Sequence, residues 1–226
     1  QLIGDQLEEV ILEHTSIPPR IANKMAQDML RETGLADPRR IMGQYPFQLS
    51  GGMCQRIMMA IGLVLEPRLL IADEPTSGLD VTLQAEILDL LRKLCQEQHA
   101  SILLITHDMG VVASMAQQVG VLYAGSMIET AEVVSTFKRS QHPYTWSLIR
   151  SLPRLDQPDK RLQALPGSPP DMMDLPNECA FLPRCHKALA QCRASPRPPL
   201  SELEPNHYIA CRSEEHTSEL QSRAYL

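Results

Sequence analysis

Two adjacent carboxylates, Asp73 and Glu74, end a run of apolar residues in the stretch LLIADEPTSGLD (69–80). An ionised carboxylate is costly to desolvate unless a metal ion, a ligand or a hydrogen bond holds it. His107 follows the next apolar run, in LLITHD (103–108). Because ligands of an open α/β sheet bind beyond the carboxyl ends of its strands, we expect these three side chains to meet in one crevice. The chemistry that fits is a Mg²⁺-bound nucleotide. Asp73 would hold the metal, Glu74 would orient or deprotonate the attacking water, and His107 would sense the terminal phosphate.

A second candidate phosphate contact lies in LSGGMCQ (49–55), where a loop ends and a helix is predicted to begin. Ser50, Gly51 and Gly52 would offer a hydroxyl group and backbone N–H groups to an anion, since glycine lets the backbone approach phosphate closely. The alternative is an ordinary Ser N-cap followed by a flexible glycine pair. The order of the motifs along the chain, LSGGMCQ, LLIADEP, SGLD and ITHD, favours the phosphate interpretation.

Four of the six cysteines crowd into one segment with the spacing C-x5-C-x6-C-x18-C. Four thiolates at such spacing can close around a tetrahedral Zn²⁺ or a [4Fe–4S] cluster. The alternatives are reduced core cysteines or, in an oxidising compartment, disulfides. The members of this cysteine cluster are Cys179, Cys185, Cys192 and Cys211.

The surroundings of the cysteine cluster favour a metal site. Nearby basic residues would stabilise thiolates and offset an anionic centre; they are Arg184, Lys187 and Arg193. A proline-rich segment with little apolar material also gains from a covalent or metal staple. His207 is a weaker substitute ligand, and the spacing alone does not choose between zinc and iron.

The elements that must position these side chains follow from the hydrophobic pattern. Apolar residues at helical spacing predict amphipathic helices over 17–35, 51–65 and 83–98. Continuous short apolar runs predict fully buried strands at RLLIADE (68–74), SILLIT (101–106) and VGVLYAG (119–125). Strands of this kind alternating with helices predict an α/β fold, with a parallel sheet covered on both faces.

Composition sets further limits. The formal net charge of −6 and the pI of about 5.6 give no sign of nucleic-acid binding through bulk charge, and no apolar run reaches the roughly 20 residues that span a bilayer. Twelve of the eighteen prolines lie between Pro143 and Pro205, which predicts a domain boundary near Ser151. The last segment, 212–226, resembles the translation of a sequencing adapter, and we expect it to be non-native.

The ordered motifs resemble those of the ATP-binding-cassette (ABC) ATPases. LSGGMCQR resembles their signature motif, LLIADE their Walker B strand, SGLD their D-loop, and His107 their switch histidine. HPYTWSLIRSLP (142–153) and the cysteine-containing tail are similar to those of ATP-binding subunits of oligopeptide and dipeptide importers. The resemblance implies ATP contacts from Ser50, Gly51, Gly52, Gln55 and Asp80, and tilts the cysteine cluster towards [4Fe–4S], with Zn²⁺ as the alternative.

The resemblance also implies a domain plan. The fold would be a RecA-like P-loop NTPase sheet with the ABC helical subdomain, incomplete, plus a small extension rich in cysteine and proline. Residues 1–46 would form part of the helical subdomain and 47–150 the C-terminal part of the ATPase core. Residues 151–211 would form the extension. None of the eleven glycines is followed by lysine, so we expect the Walker A loop and the Q-loop to precede Gln1.

Partners follow from the same resemblance. The signature loop would complete a nucleotide site on a second ABC subunit, identical or related, while Glu74 and His107 would act on ATP and Mg²⁺ bound in cis. Transmembrane permease subunits would be direct partners, and a solute-binding protein an indirect one. The location would be peripheral, on the cytoplasmic face of the bacterial inner membrane. We expect this chain alone to hydrolyse ATP negligibly, because phosphate positioning is most of the catalysis.

Two other functions remain open at the level of sequence. A soluble ABC-type ATPase of DNA repair or chromosome handling shares the signature and Walker B motifs, but usually carries a long heptad coiled coil. A non-catalytic metal-binding fragment attached to a decayed cassette is the third interpretation, and the intact Glu74 and His107 argue against decay.

Overall fold

The computed structural model of the protein describes residues 1–152 and 165–212. The chain divides into two compact units, residues 1–107 and 108–226, which we call the first and second unit. The domain boundary predicted near Ser151 lies inside the second unit. The tail predicted to be non-native lies outside the described residues, apart from Arg212. None of the helices in the described ranges combines the length and the apolar character needed to span a bilayer.

The first unit is a helical layer followed by a strand–helix–strand segment. The helices predicted over 17–35, 51–65 and 83–98 are confirmed, although their ends differ by a few residues. In chain order the elements are α1 (Ile3–His14), α2 (Pro19–Glu32), α3 (Pro38–Met42), a 3₁₀ turn (Pro46–Gln48), α4 (Gly51–Leu63), β1 (Leu69–Asp73), α5 (Val81–Glu97) and β2 (Ser101–Ile105).

The starts of α4 and α5 are fixed by side-chain caps. The Ser50 hydroxyl oxygen accepts a hydrogen bond from the Met53 N–H at 3.3 Å, and an Asp80 carboxylate oxygen accepts one from the Leu83 N–H at 2.9 Å. Each cap satisfies a backbone donor that a helix N-terminus leaves unpaired. The apolar stripes of the helices then form the core of this unit, with Leu7, Ile11, Leu30, Ile57, Leu63, Ile87 and Leu91 almost fully buried.

Strands β1 and β2 pair in parallel, in register from Leu69 opposite Ser101 to Asp73 opposite Ile105. The prediction that these strands are fully buried is wrong for the described chain. Residues pointing to one face remain about half exposed, because only the other face is covered. On the covered face, for example, Leu70 packs against Gly62 of α4. The exposed apolar side chains are Leu69, Ile71, Leu103 and Ile105.

The second unit contains a four-stranded antiparallel sheet with the strand order β3-β4-β6-β5. The strand predicted at 119–125 forms, but it is not part of a parallel sheet, because a tight hairpin pairs it with the following strand. In chain order the elements are α6 (Met109–Met115), β3 (Gln118–Tyr123), β4 (Ser126–Glu132), α7 (Val133–Arg139), α8 (Pro143–Arg150), a 3₁₀ turn (Leu182–Arg184), α9 (Ala190–Ala194), β5 (Ser201–Glu204) and β6 (His207–Ile209).

An aromatic cluster joins the cysteine-rich segment to this sheet. Phe181 is 1% exposed and packs edge-on against Tyr123 of β3 and Tyr144 of α8, with ring centroids 5.2 and 5.4 Å apart. Cys179 and Cys185 are partly buried against the same cluster. Burial of one large aromatic side chain contributes a few kcal/mol, roughly 1.5–3, so Phe181 anchors a segment that has little regular structure of its own.

Candidate functional site

Glu74 and His107 meet at the shared carboxyl edge of β1 and β2. A Glu74 carboxylate oxygen (Oε1) accepts a hydrogen bond from the backbone N–H of His107 at 3.0 Å and lies 2.7 Å from Nδ1 of the same residue. The pairing of Asp73 with Ile105 explains this meeting, since it places the residues that follow each strand side by side. The contact joins residues that are 33 positions apart in the sequence.

The backbone of Glu74 turns sharply out of the strand. Its φ angle is +46°, in the left-handed region that few residues other than glycine adopt, and its N–H donates to the Ile105 carbonyl oxygen at 2.9 Å. The turn points the side chain along the edge of the sheet towards His107 instead of continuing the strand. Such strained positions cost about 1–3 kcal/mol and often occur at functional sites.

Hydrogen bonding keeps the Glu74 carboxylate ionised. The side chain of His107 lowers the pKa of Glu74 below its ordinary value; burial acts in the opposite direction, and the His107 backbone N–H and the Thr106 side chain add to the lowering. The pair is open to solvent, with 86% of the His107 side chain and 36% of the Glu74 side chain exposed. A charged carboxylate beside an accessible imidazole can orient a water molecule and a phosphate oxygen.

The other acidic candidates occupy the ends of elements near this edge. Asp73 is the last residue of β1 and is exposed, so its carboxylate is accessible to a hydrated cation. Asp80 is exposed as the N-cap of α5. The structure therefore places both residues where oxygen ligands could be offered, and their roles in binding Mg²⁺ and ATP stay predictions.

The predicted anion site at the start of α4 has the expected local form. Ser50 is the N-cap, and Gly51 and Gly52 are the first helical residues. A Cβ atom on Gly52 would lie 2.7 Å from a terminal methyl carbon of Leu83, whereas one on Gly51 would meet nothing within 4 Å. A side chain at position 52 would therefore crowd α5, whereas the packing leaves room for a side chain at position 51. Gln55, half-buried on the same helix, has a buried side-chain oxygen without a hydrogen-bond partner among the described residues.

All four members of the cysteine cluster line one cavity in the second unit. His142, Pro143 and Phe181 contribute to its apolar wall, and Lys187 and Arg212 to its basic side. None of the four cysteines is in a disulfide, and each is half-buried. The cavity thus collects cysteines that are up to 32 positions apart in the sequence, although in the described residues their side chains are not arranged as a ligand cage.

Burial favours the protonated form of two of these thiols. It raises the pKa of Cys185 to about 11, and it also raises the pKa of Cys179. In the described residues no group of three or more metal-ligating side chains is arranged closely enough to hold an ion, so the predicted [4Fe–4S] or Zn²⁺ site is not supported as a formed site. His207, the predicted substitute ligand, does not line the cavity and pairs with Glu129 instead.

Glu129 is the buried polar residue that sequence reasoning missed. It lies on β4 with no exposed surface and accepts hydrogen bonds from His207 Nε2 at 2.8 Å and from the backbone N–H groups of Gln141 and His142 at 2.7 and 3.0 Å. Burial raises the pKa of Glu129, but these hydrogen bonds outweigh it and lower the pKa below its ordinary value. The sequence gives little signal for it, because the strand SMIETAE contains two glutamates and no local pattern marks Glu129 as the buried one.

Two family models match separate segments of the chain. Residues 4–77 match the family model described as ABC transporter, and residues 128–192 match the one described as oligopeptide/dipeptide transporter, C-terminal region. The second match covers the His142–Pro143–Tyr144 sequence, Glu129 and three of the four clustered cysteines.

Curated proteins give the same result over a longer range. The chain is 46% identical to the oligopeptide transport ATP-binding protein AppD of Bacillus subtilis, over 84% of the chain and 58% of that protein. It is 42% identical to the dipeptide transport ATP-binding protein DppD of Escherichia coli, over 92% of the chain and 64% of that protein. The chain therefore spans about three fifths of the length of the curated relatives that it matches.

A solved structure supports the fold. An ABC transporter of the metal-chelate type, in an inward-facing conformation, superposes with a TM-score of 0.56 at 23% sequence identity. The superposition covers 66% of this chain and 57% of the solved one. The α/β architecture predicted from the motifs is confirmed.

Proposed function

The chain belongs to the family of ATP-binding proteins of oligopeptide and dipeptide ABC transporters, and from this membership we propose that it is the ATP-hydrolysing, energy-coupling subunit of a membrane importer for peptides. Together with transmembrane permease subunits, the protein would bind ATP, close against a second ABC subunit, and reopen after hydrolysis. Its place would be peripheral, on the cytoplasmic face of the inner membrane. The observation that carries the proposal is the Glu74–His107 contact at the carboxyl edge of two parallel strands.

Glu74 would act on the water that attacks the γ-phosphate. Its lowered pKa makes it a weak proton acceptor but keeps it charged, which suits the orientation of a water molecule better than early proton abstraction. Phosphoryl transfer depends mainly on positioning and charge stabilisation, so a correctly held carboxylate is sufficient. Mg²⁺, held through Asp73, would neutralise charge on the phosphate oxygens.

His107 would report on the terminal phosphate. Its Nδ1 atom lies 2.7 Å from Glu74. A ring with protons on both nitrogens would donate to Glu74 through Nδ1–H and to a phosphate oxygen through Nε2–H. His107 would thus link the presence of the γ-phosphate to the position of the carboxylate.

The start of α4 would bind ATP held by the partner subunit. The Ser50 hydroxyl group and the N–H groups of Gly51 and Gly52 lie at the N-terminus of a 13-residue helix, where an anion is favoured. Gln55 on the same helix and Asp80 at the start of α5 would complete these contacts. The steric freedom at Gly51 leaves room for a phosphate group to approach the backbone.

The decisive experiment uses the full gene product assembled with its permease and partner subunits. Glu74→Gln keeps the shape of the side chain and is expected to abolish ATP hydrolysis while ATP binding persists. Glu97→Gln is the matched control, because Glu97 is an exposed glutamate on α5 whose side chain lies 3.9 Å from Lys93. Turnover by Glu74→Gln close to that of the control would refute the assigned role.

We also propose that the four cysteines lining the cavity bind a [4Fe–4S] cluster, with Zn²⁺ as the alternative occupant. Support comes from the donor set, which is four thiols around one cavity with Lys187 beside it to offset an anionic centre. The metal would cross-link the segment around Phe181 to the end of β6 and would have a structural or redox-sensing role. No step of hydrolysis depends on it.

Metal analysis of the purified protein tests this second proposal. Protein prepared without oxygen should be brown and contain iron and sulfide, and Cys185→Ser should lose both, while Cys54→Ser, outside the cavity, should keep them. A colourless protein with one zinc would favour the alternative occupant. A protein that contains neither metal, and takes up neither, would refute the site.

A further inference from the structure

We propose that Glu129 is the positioning residue of the cysteine cavity, because its single carboxylate holds two chain segments, one that forms part of the cavity wall and one that carries the last cysteine. The inference rests on the proposed cysteine metal site for its ligand, but the geometry behind it is independent of any metal. It assigns a task to a residue that takes no part in the nucleotide chemistry.

The first segment held by Glu129 is the turn that leads into α8. The two carboxylate oxygens accept hydrogen bonds from consecutive backbone N–H groups, Gln141 to Oε1 at 2.7 Å and His142 to Oε2 at 3.0 Å. His142 and the next residue, Pro143, line the cavity. The His142 ring is fixed in turn, since its Nδ1 accepts from the Tyr144 N–H at 3.1 Å.

The second segment is β6 together with the residues that follow it, among them Cys211. His207 of β6 lies with Nε2 2.8 Å from Glu129 Oε1, and Ile209 lies opposite Glu129 in the ladder between β4 and β6. The next residue, Ala210, donates to the Ile128 carbonyl oxygen at 2.8 Å and lines the cavity together with Cys211. Glu129 therefore sets the position of Cys211 through a strand whose register it helps to define.

Burial makes this arrangement demanding. Glu129 has no exposed surface, and His207 and His142 are 3% and 1% exposed. A buried donor that loses its acceptor incurs its full desolvation cost. Glutamine would replace one of the two acceptor oxygens by an NH₂ group, so at least one of the three donors would face another donor and its segment would shift until water or another acceptor reached it.

A purely structural role for Glu129 is the competing explanation, and it makes different predictions. A destabilised unit with an intact cavity would melt earlier, but its folded state would bind metal and shield its thiols normally. A misplaced cavity would change both properties in the folded state. Loss of an outer partner that orients ligands typically costs about 10–100-fold in metal affinity.

The experiment uses the full chain and Cd²⁺ alone as the probe, followed through its thiolate absorbance. Glu129→Gln should bind Cd²⁺ at least about tenfold more weakly than the parent. Thiol labelling by DTNB or iodoacetamide, read residue by residue by mass spectrometry, should be at least about fivefold faster at the cavity cysteines of the variant, because local opening exposes them. Labelling of Cys95, buried in the first unit, should stay unchanged.

Two further variants keep the test decisive. Thr136→Ala removes another fully buried side chain of the second unit, whose hydroxyl donates to the Glu132 carbonyl oxygen, and it should change neither Cd²⁺ affinity nor labelling. If Glu129→Gln does not fold, His207→Asn serves as the second test. It keeps the carboxylate and removes the imidazole Nε2 atom that contacts it. It should accelerate labelling of Cys211 more than that of Cys179.

The outcomes separate the two proposals. If the parent binds no Cd²⁺, the metal site is refuted, and the labelling rates still decide whether Glu129 positions the cavity. If the parent binds Cd²⁺ and a folded Glu129→Gln matches it in affinity and in labelling, Glu129 only stabilises the unit and the inference is refuted. Equal effects of Thr136→Ala and Glu129→Gln would refute it as well.

Discussion

The two glycines of the signature stretch should respond in opposite ways to substitution by alanine. Gly52 is buried where α4 meets α5, and a Cβ atom there would lie 2.7, 3.3 and 3.4 Å from three side-chain carbons of Leu83. Gly51 precedes it by one position, is exposed, and has open space where a Cβ would stand. Both residues lie in the first turn of α4, so the two substitutions change helix propensity in a similar way. A difference in stability between the two variants therefore reports on packing.

The magnitudes follow from two opposing terms. Alanine gains up to about 1 kcal/mol over glycine inside a helix, and less in its first turn. Overpacking of an ordered contact costs about 1–3 kcal/mol, and the Leu83 methyl groups can relieve part of it by rotation. We therefore expect Gly51→Ala to stabilise the first unit by about 0.5 kcal/mol and Gly52→Ala to destabilise it by about 1 kcal/mol.

Urea unfolding of the two variants and the parent measures the difference. The double variant Gly52→Ala/Leu83→Ala completes a thermodynamic cycle, in which removal of the Leu83 methyl groups should recover the cost of the added Cβ. Equal stability of the two single variants would show that the close approach of α4 and α5 is not maintained in solution. A double variant whose losses merely add would refute the assigned contact.

The remaining predictions concern the backbone, a buried charge and an apolar face. Gly34→Ala should lower the free energy of unfolding, measured in urea, by about 2 kcal/mol. The φ angle of Gly34 is +81°, in the left-handed region, and an added Cβ would lie 2.8 Å from Arg56 Nη1. Gly43→Ala, at a negative φ, is the control and should be near neutral. The lowered pKa of Glu129 stabilises the fold above the ordinary value of 4.5, and that contribution is lost as the pH falls through the lowered folded pKa. The stability gap between the parent and Glu129→Gln should therefore shrink below pH 4.5, and a gap that widens would contradict the sign. Ile71→Lys should reduce binding of an apolar dye, because Ile71 is 61% exposed, and unchanged dye fluorescence would contradict an exposed face.

Local patterns predicted the elements and the order of the candidate site residues. The 3.6-residue spacing of apolar residues places α4 and α5, and the apolar runs before Asp73 and Thr106 place β1 and β2. Because the strand pairing is parallel and in register, the meeting of Glu74 and His107 follows from the two strand ends alone. This part of the site is predictable because each of the two side chains follows closely on a strand that its own apolar run reveals.

Features that depend on distant partners were not predictable in this way. The Glu129 carboxylate has partners 12, 13 and 78 residues away, so neither periodicity nor motif spacing reveals it. The strand at 119–125 has the same apolar composition as a parallel strand, and only its hairpin with β4 decides its sheet. The prediction of full burial for β1 and β2 fails for a related reason. Apolar composition shows that a strand face can be buried, but burial also requires another element to cover that face.

The left-handed backbone at Glu74 also affects how any saturation mutagenesis of this position should be interpreted. Asparagine and glycine adopt such a φ readily and would relieve the strain while deleting the carboxylate, whereas β-branched replacements would add strain. A ranking of variants by growth or abundance would therefore mix conformational fit with chemistry, and tolerance of Glu74→Asn would not show that the carboxylate is dispensable. Glutamine, which shares the shape and backbone preferences of glutamate, isolates the charge.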